Sequence, residues 1–275
     1  MFSIIIVIRD NFQVSSRCLE SVLSSDYDNF ELIIVNNGGG AEIDDLIKDI
    51  KQKAEIKKIG IKTIKNNENI GAPAARNQAI KIALGDIMVF LDNDVFTEDV
   101  SWLKKFEMVM NKASDAAGIG PKLVYPNKRH LIQCAGGGIN SKGRVLLLGR
   151  GQNIDLKKYN CQRVIQFYPT ACLCVRKHLV LSVGGFDEKY FPVQYEDVDL
   201  CYKIRQLGYK FYYNPDIVLF HYENTTSKFS TDSRFIYNTA KNGWRFKDQW
   251  LKVVLGEQDQ FSINNEEVNW NEISA

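Results

Sequence analysis

A chain of 275 residues is long enough to form one large α/β domain or two small ones around a substantial core. Its hydrophobic residues (45%) and charged residues (25%) are in the proportions of an ordinary globular protein. The formal net charge of +2 argues against broad electrostatic binding to nucleic acid.

The first apolar run, residues 1–8, is too short to span a membrane and lacks the basic start of a signal peptide. We interpret it as a buried first strand and expect a cytoplasmic protein without a transmembrane segment. Peripheral contact with a membrane stays compatible with the sequence. The six cysteines include no Cys-x-x-Cys pair, and reduced, buried thiols are favoured over disulfides or a zinc site.

Over the first hundred residues, β-branched runs alternate with helical patterns. Strands are predicted at residues 4–8, 31–35, 61–65 and 87–91, and helices at residues 15–24, 43–53 and 74–84. Strands that alternate with helices of this length imply right-handed crossovers and a parallel sheet. The pattern is typical of a nucleotide-binding α/β fold.

Asp92, Asn93 and Asp94 directly follow the predicted strand at residues 87–91. In an open α/β sheet, ligands bind at the edge where the strands end. Two carboxylates one residue apart repel each other unless a cation lies between them, and Mg²⁺ is commonly held by carboxylates together with substrate phosphates. The triplet therefore indicates a metal-bound nucleoside diphosphate. Taken alone, it also fits a solvated loop or the start of a helix.

The elements after this triplet have a different rhythm. Residues 95–99 predict a helix start, with Thr97 or Asp99 as its cap. Beyond about residue 113, short strands with glycine-rich joints predict hairpins. The later elements are predicted as strands at 170–175, 210–213 and 217–220, a turn at 184–187, and helices at about 197–207 and 232–250.

The last predicted helix offers Phe235, Ala240, Trp244 and Phe246 for a buried face. Trp244 and Trp250 either form an interface or cover the sheet, so a homo-oligomer stays open. From Glu257 onward the chain contains five acids and no lysine or arginine, which favours a solvated tail over a docking segment.

Further motifs accompany the acid pair in chain order. They are residues 35–39, residues 69–77, residues 184–188, residues 195–200, and the pair Phe220 and His221. Together these segments resemble the family 2 glycosyltransferases, which are nucleotide-sugar-dependent enzymes with the A-type fold. The resemblance extends from about Phe2 to about Trp250. The complete set of motifs, in this order along the chain, is more specific than any single motif.

The resemblance implies an α/β nucleotide-diphospho-sugar transferase fold (GT-A, Rossmann-like). Its central sheet is expected to be mostly parallel, with a small antiparallel part and a C-terminal helical extension. We expect a glycosyltransferase domain at residues 1–250, followed by an acidic tail at 251–275. Within the domain, residues 1–112 form a nucleotide-binding half, residues 113–230 an acceptor-binding half, and residues 231–250 a C-terminal helix.

The resemblance also implies a donor site. In the family, the first acid of the pair reaches the ribose and the second the metal-bound diphosphate, which implies these roles for Asp92 and Asp94. His221 matches a late metal ligand of many members; the alternative is a strand-end histidine that is hydrogen-bonded to its surroundings. Mn²⁺ or Mg²⁺ is expected, as a Lewis acid on the departing diphosphate. The residues implied to bind the nucleotide are Ile8, Arg9, Asn11, Asn36, Asn69, Gly71, Arg76, Asp92 and Asn93.

Glu196 and Asp197 match the acidic pair that supplies the general base in the family. The acceptor hydroxyl must lose its proton as it attacks the anomeric carbon, so a carboxylate is needed opposite the leaving group. We assign Asp197 as the base and Glu196 as its alternate; helix-capping acids on a solvated turn are the other interpretation. Mutual repulsion among Glu196, Asp197 and Asp199 should raise the pKa of at least one of these carboxyls, whereas their position at a helix start would lower it, and the sequence leaves the balance open. The residues implied to contact the acceptor are Gly185, Phe186, Asp187 and Tyr195.

The chain departs from the family pattern at three places. Members usually carry aspartate where this chain has Asn36; an amide carbonyl can still accept the imide N–H of the base, but base preference is left open. The segment from Ile8 to Asn11 lacks the usual aromatic pattern. Lys241 and Asn242 stand where some bacterial members have Arg-Asn, which weakens any bidentate phosphate contact.

We therefore predict a metal-dependent inverting transferase that moves a sugar from a UDP- or dTDP-sugar to an acceptor hydroxyl in bacterial surface-glycan or glycoprotein-glycan synthesis. The acceptor is expected to be a saccharide, a glycopeptide or a lipid-linked molecule. A non-catalytic nucleotide-sugar-binding or assembly subunit is the alternative that Asn36 leaves open. Nucleotidyl transfer and dehydrogenation are disfavoured, because residues 9–12 contain no glycine-rich phosphate loop.

Overall fold

The structure is a computed structural model that describes residues 1–223 and 233–257. The strands are β1 (Phe2–Ile8), β2 (Phe30–Asn37), β3 (Gly60–Asn66), β4 (Ile87–Asp92), β5 (Val95–Phe96), β6 (Ala116–Tyr125), β7 (Lys128–Cys134), β8 (Gly137–Ile139), β9 (Val145–Leu147), β10 (Arg163–Ile165), β11 (Cys172–Arg176) and β12 (Lys210–His221). The α-helices are α1 (Phe12–Leu23), α2 (Ala41–Ile56), α3 (Ala72–Ile82), α4 (Trp102–Lys112), α5 (Lys177–Ser182), α6 (Glu196–Arg205) and α7 (Ser233–Gly256).

One mixed sheet forms the centre of the molecule, in the strand order β10-β12-β6-β11-β4-β1-β2-β3. The strands β1 to β4 run parallel, as the alternation of strands and helices predicts. β11 lies antiparallel between β4 and β6, whereas β12 is parallel to β6. β8 and β9 pair in a separate small sheet. The α/β class expected from the sequence is confirmed.

The two strands β1 and β2 of the parallel half are buried on both faces, whereas the edge strand β3 is partly exposed. All eight residues of β2 are buried, and six of the seven in β1. Such continuous apolar runs are typical of parallel strands that helices cover on both sides. α1 and α2 each turn one apolar face toward this core, for example with Leu19 in α1 and Ile50 in α2.

The carboxyl ends of β1, β2 and β4 meet at one edge of the sheet. The register pairs Ile8 with Asn36 and Val7 with Asp92. β11 begins at the same edge because it runs antiparallel, and the amide of Asp92 donates to the carbonyl of Ala171 (3.0 Å). Residues from both halves of the chain therefore converge at this edge.

The segment after the acid pair is a strand, and the helix start predicted there is wrong. β5 pairs antiparallel with the end of β12, and this backbone pairing outweighs the local helix signals. α4 begins at Trp102 with Ser101 as its N-cap residue, so neither Thr97 nor Asp99 caps it. Asp99 instead accepts hydrogen bonds from the amide and hydroxyl of Ser101 (2.9 and 2.6 Å) in the preceding turn.

β12 is a single strand where the sequence predicts two. Its pairing with β6 is irregular between Tyr213 and Val218, around Asn214 and Pro215. Proline cannot donate a ladder hydrogen bond, and the side chain of Asn214 accepts from the amide of Asp216 (2.8 Å). The strand resumes beyond this irregularity and carries His221 to the edge where β4 ends.

The last helix is longer than predicted. α7 continues to Gly256, into the region expected to be an acidic tail. Residues 224–232 and 258–275 lie outside the described residues, and with them the predicted start of the helix and the rest of the tail. Among the residues described, no helix has both the length and the apolar character needed to cross a membrane.

The buried face of α7 differs from the predicted one. Phe246 and Trp250 are buried, but Ala240 and Trp244 are exposed and Phe235 is half-buried. Positions four residues apart lie along one side of a helix, so the buried line runs through Phe246 and Trp250 and leaves Trp244 outside.

The cysteines follow their predicted burial with one exception. Those at positions 18, 134, 172, 174 and 201 are buried, and Cys161 is exposed. Cys161 is exposed because it lies in a surface loop just after a short 3₁₀ turn at Lys157–Tyr159.

Candidate active site

A cavity of about 840 Å³ opens at the carboxyl edge of the sheet, a volume in the usual range for a small-molecule site. The predicted site residues that line it are Arg9, Asn69, Arg76, Asp92, Asn93, Asp94, Tyr195, Glu196, Asp197 and His221. Phe235 and Asn238, from the first turns of α7, also line it. The cavity therefore brings together residues from both halves of the chain and from the last helix.

Asp92, Asp94 and His221 form a cluster on one side of the cavity. One ligand atom from each lies within 4.8 Å of the others, and His221 Nε2 is 3.2 Å from Asp94 Oδ1. Two carboxylates and an imidazole are donors that suit a divalent cation such as Mn²⁺. Asp94 and His221 are largely buried, so their ligand atoms are held in place by the fold. The donor chemistry thus fits the expected cation.

Gln133 of β7 orients the ring of His221. Its Oε1 lies 2.6 Å from His221 Nδ1, while its Nε2 donates to the His221 carbonyl (3.2 Å) and to Glu223 (3.4 Å). Glu223 in turn accepts from Arg150 (2.7 Å). The Gln133 side-chain nitrogen donates to the His221 carbonyl and to the Glu223 carboxylate, so the Gln133 side-chain oxygen faces His221 Nδ1. This arrangement assigns the ring proton to Nδ1 and leaves Nε2 facing Asp94.

The charge around His221 favours a cation. Burial by itself lowers the pKa of His221, but the facing Asp94 and the nearby Asp92 outweigh burial and leave that pKa raised. The same carboxylates that favour a proton on the ring also favour a metal ion at that position.

Arg76 links the two sides of the cavity. Its Nη2 donates to Asp92 Oδ1 (3.0 Å) and its Nη1 to Glu196 Oε1 (2.7 Å). The guanidinium also lies over the ring of Phe186, with Cζ 5.6 Å from the ring centroid. A buried cation between two acids compensates charges that would otherwise repel across the cavity.

Glu196 and Asp197 begin α6 and line the same cavity as the metal-ligand cluster. Burial, the largest cause, and the Glu196 charge raise the pKa of Asp197 to about 7, against backbone amides and Arg76 that lower it. Burial also raises the pKa of Glu196, although Arg76 opposes this effect. At both carboxyls, burial outweighs the contacts that lower the pKa at this helix start. A carboxylate with a pKa near neutrality is suited to general base catalysis.

The loop before α6 is held in an unusual backbone conformation. Gln194 and Tyr195 both have positive φ (86° and 72°), which costs free energy in residues other than glycine. Asn242 of α7 is fully buried and donates from Nδ2 to the carbonyls of Tyr190 (2.8 Å), Val193 (3.0 Å) and Gln194 (3.2 Å). Asn242 thus fixes the loop through three backbone contacts.

Asn36 and Asn37 point to opposite sides of β2, because successive residues of a strand alternate. Asn37 lines the cavity and donates to Asn69 Oδ1 (2.9 Å). Asn36 is 1% exposed; its oxygen accepts from the Gly39 amide (2.7 Å) and its nitrogen donates to Asp44 (2.8 Å). Asn36 shapes the turn after β2, and its contact with the base stays a prediction.

Six more predicted residues lie outside the cavity lining. They are Ile8, Asn11, Gly71, Gly185, Phe186 and Asp187. Ile8 has no exposed surface, and Phe186 packs edge-on against Phe90 with 5.0 Å between ring centroids. Asn77 of α3 exchanges two hydrogen bonds with the backbone of Phe186, both 2.9 Å. The turn at residues 184–187 is thus hydrogen-bonded to α3. Contact of Gly185, Phe186 and Asp187 with the acceptor stays a prediction.

Other lining residues were not predicted from the sequence. They include Asn37, Gln133, Arg144, Thr170 and Glu223. Strand alternation identifies Asn37 once Asn36 is assigned to the turn. No local signal identifies Gln133, because its partner His221 is distant in sequence and the two meet only through the sheet.

The mixed sheet, with acids from both halves of the chain on one cavity, has the architecture of GT-A glycosyltransferases. A crystal structure described as GalNAc-T7 with UDP, GalNAc and Mn2+ matches 92% of this chain and 49% of that chain, with a TM-score of 0.71 at 16% identity. Residues 3–137 match the family model described as Glycosyl transferase family 2. The chain belongs to this family.

The similar proteins found by sequence are longer. A protein from Sinorhizobium fredii named Uncharacterized protein y4gI is 32% identical over 237 residues, which are 82% of this chain and 25% of that protein. The O-antigen biosynthesis protein RfbC of Myxococcus xanthus is 25% identical over 233 residues, 82% of this chain and 18% of that protein. The chain thus spans a quarter or less of the length of these two relatives.

Proposed function

We propose that this chain is a metal-dependent inverting glycosyltransferase that moves a sugar from a nucleoside-diphosphate sugar to an acceptor hydroxyl. The observation that carries the proposal is that Asp94, His221 and Asp197 line one cavity. The donor is proposed to be a UDP- or dTDP-sugar, and the UDP and Mn2+ in the GalNAc-T7 structure support that class.

The donor is proposed to bind beside β4. Asp94 and His221 would hold Mn²⁺ or Mg²⁺, and Asp92 would reach the ribose. A divalent cation, when bound, supplies positive charge to the diphosphate as it departs. Arg9 and Asn69 line the same cavity and offer hydrogen-bond donors to phosphate and ribose oxygens.

Asp197 is proposed to be the general base. Its carboxylate takes the proton of the acceptor hydroxyl while the hydroxyl oxygen bonds to the anomeric carbon and the bond from that carbon to the diphosphate oxygen breaks. Attack from the face opposite the leaving group inverts the anomeric configuration. Glu196 is less suited to this role, because Arg76 already occupies its Oε1 (2.7 Å).

The acceptor is proposed to enter between Tyr195, the hairpin of β8 and β9, and the first turns of α7. Tyr195, Val145 and Phe235 line the cavity there and offer apolar faces to a sugar ring. This assigns nucleotide binding mainly to residues 1–112 and acceptor binding mainly to residues 113–230. The name of the RfbC relative supports a place in bacterial surface-glycan synthesis, with a saccharide, glycopeptide or lipid-linked acceptor. The cytoplasmic location stays a prediction.

Release of nucleoside diphosphate from a panel of UDP-, dTDP- and GDP-sugars, with Mn²⁺ or Mg²⁺ and glycan acceptors, tests the proposal. We expect release only with a divalent cation, and Asp94→Asn should abolish it. Asp197→Asn should lower kcat by about 100-fold or more while UDP still binds in the presence of Mn²⁺. Asp49→Asn, at an exposed position of α2, is the matched control.

Two outcomes would count against this function. Release that persists in a chelator or in Asp197→Asn would contradict the assigned chemistry. Donor binding without release, whatever acceptor is supplied, would favour a non-catalytic binding subunit. The anomeric configuration of the product, measured by NMR, separately tests inversion.

A further inference from the structure

The outward face of α7 carries an apolar stripe. Tyr237, Trp244 and Leu255 are 69%, 73% and 51% exposed. Their spacing is close to whole numbers of helical turns, so their side chains project from the same side. Leu251, which is half-buried, falls on the same line, and Ile236 (55% exposed) lies beside its start. The stripe therefore extends along most of the helix.

Basic residues flank this stripe. α7 contains five basic residues and one acidic residue, a net charge of +4, although the whole chain carries only +2. By helical position, Lys241 and Lys252 lie on one side of the stripe and Lys247 on the other. The one acid of the helix, Asp248, is exposed and falls between the stripe and Lys241. Lys247 Nζ is 5.6 Å from the centroid of the Trp244 ring. The helix is thus more positively charged than the chain as a whole, and it carries Trp244, the most exposed tryptophan among the described residues.

The opposite face of α7 anchors the helix to the domain. Phe246, Trp250 and Val254 are buried there, and Trp250 Nε1 donates to Asp199 Oδ1 (2.8 Å). Asn242 holds the loop before α6. Since this inner face supplies the packing, the outer stripe is not explained by contacts within the described residues.

We propose that the outward face of α7 docks on the surface of an anionic phospholipid bilayer. An apolar stripe with tryptophan and tyrosine between lysines is the pattern of a helix that lies in the membrane interface. The rings enter the headgroup boundary, while the lysine stems extend along the apolar surface and place their charges at the lipid phosphates.

A second copy of the chain fits this face less well. A two-fold contact along the stripe would bring the same basic flanks of two helices together, including Lys241 and Lys252. Like charges brought close together oppose association, whereas an anionic surface neutralises both basic flanks of the stripe at once. Charge complementarity thus favours the lipid surface.

Docking would place the cavity next to the membrane. The first turns of α7 contribute Phe235 and Asn238 to the cavity lining, and the stripe begins at Ile236 and Tyr237 in those same turns. This geometry suits an acceptor that is itself held at the bilayer surface, a consequence that rests on the proposed function. The docking itself does not, and it is tested without any donor or acceptor.

Flotation of the full chain with lipid vesicles tests the docking. Vesicles of phosphatidylcholine alone are compared with vesicles of equal parts phosphatidylcholine and phosphatidylglycerol. We expect binding to the anionic vesicles that weakens as salt is added, and much weaker binding to the neutral ones. The double variant Trp244→Ser, Leu255→Ser should bind about tenfold more weakly. Lys241→Gln and Lys252→Gln should each weaken binding by about fivefold.

Matched controls come from α2. Ile56→Ser removes an 82% exposed apolar side chain, and the double variant Lys48→Gln, Lys51→Gln removes two exposed lysines. Both should float like the wild type. Thermal unfolding of every variant separates lost docking from lost folding.

Failure to bind anionic vesicles, or equal binding by the stripe variants and the wild type, overturns the proposal. A concentration-dependent dimer in light scattering that Trp244→Ser dissociates would assign the face to a second copy and overturn it as well. Neither result bears on nucleoside diphosphate release, so the proposed function stands or falls separately.

Discussion

Asp92 and Glu196 accept hydrogen bonds from the two ends of one guanidinium, that of Arg76, at 3.0 and 2.7 Å. Asp92 ends a strand of the first half of the chain, and Glu196 begins a helix of the second. The side chains of Arg76 and Glu196 are only 7% and 3% exposed, so water screens their interaction weakly. This one contact ties the proposed donor side of the cavity to the proposed acceptor side.

Arg76→Met should lower the free energy of unfolding by about 3–5 kcal/mol, because it leaves Glu196 buried without its cation. The double variant Arg76→Met, Glu196→Gln should recover much of that loss, since the uncompensated charge is then gone. Urea unfolding measures both. Arg129→Met is the control, because Arg129 pairs with Glu98 on the exposed surface and its loss should cost less than about 1 kcal/mol. Equal losses for Arg76→Met and Arg129→Met would contradict this account.

The pKa of Asp197 predicts the pH dependence of turnover. Burial and the Glu196 charge raise this pKa to about 7, and a protonated carboxyl cannot accept the acceptor's proton. We expect kcat/KM to fall as the pH drops through about 7. A profile measured from mildly acidic to mildly alkaline pH checks this. A flat profile across neutrality would exclude Asp197 as the base.

The raised pKa of Asp197 also predicts that stability falls as the pH rises, whereas turnover rises with pH. The folded protein holds the Asp197 proton up to about pH 7, whereas the unfolded chain releases it near 3.8, so this group's contribution to stability falls as the pH rises between those values. Asp197→Asn removes that loss and should be more stable than the wild type by about 1–2 kcal/mol at pH 8, a moderate value because the carboxyl is partly open to solvent. The gain should shrink as the pH falls toward 4. Chemical denaturation at several pH values measures it, and a gain that grows on acidification would contradict the linkage.

The sequence predicted those parts of the site that local patterns define. The apolar run of β4 ends at the acid pair, and parallel strands place such ends at one edge, so the position of Asp92 and Asp94 followed from periodicity. Strand alternation also predicts that only one of Asn36 and Asn37 faces the cavity. Which of the two does so depends on the turn after β2, where Gly39 and Asp44 bind the Asn36 side chain.

Contacts between distant segments could not be predicted in this way. The residues after the acid pair carry helix signals, yet β5 forms because β12 offers a partner strand. Trp244 fits a helical periodicity as well as Phe246 does, and only packing against the domain decides which of the two is buried. Local preferences of about 1 kcal/mol or less per residue are outweighed by such tertiary pairing.

Gln133→Leu should weaken Mn²⁺ binding by about 10- to 100-fold, because it removes the acceptor that fixes the ring of His221. Titration of Mn²⁺ in the presence of UDP, followed by electron paramagnetic resonance, measures the affinity without any turnover. Gln166→Leu is the control: Gln166 is also buried and hydrogen-bonded, to the Ile139 amide at 2.6 Å, but does not line the cavity. Equal weakening in both variants would mean that general destabilisation, not ring orientation, sets the affinity.

Asn242→Ala should reduce kcat by roughly 10- to 100-fold while the affinity for UDP with Mn²⁺ changes little. The three carbonyls that Asn242 binds belong to the loop that precedes Glu196 and Asp197, so its loss displaces the proposed base without touching the cluster of Asp92, Asp94 and His221. Steady-state kinetics and UDP titration separate these effects.

Asn214→Ala is the matched control for Asn242→Ala, because Asn214 is a buried asparagine that accepts a hydrogen bond from a backbone amide at the irregularity of β12, away from the cavity. It should lower the melting temperature without lowering kcat at a temperature where both variants stay folded. If Asn242→Ala kept a normal kcat, or lost kcat and UDP affinity in equal proportion, the loop that Asn242 holds would not be what positions Asp197.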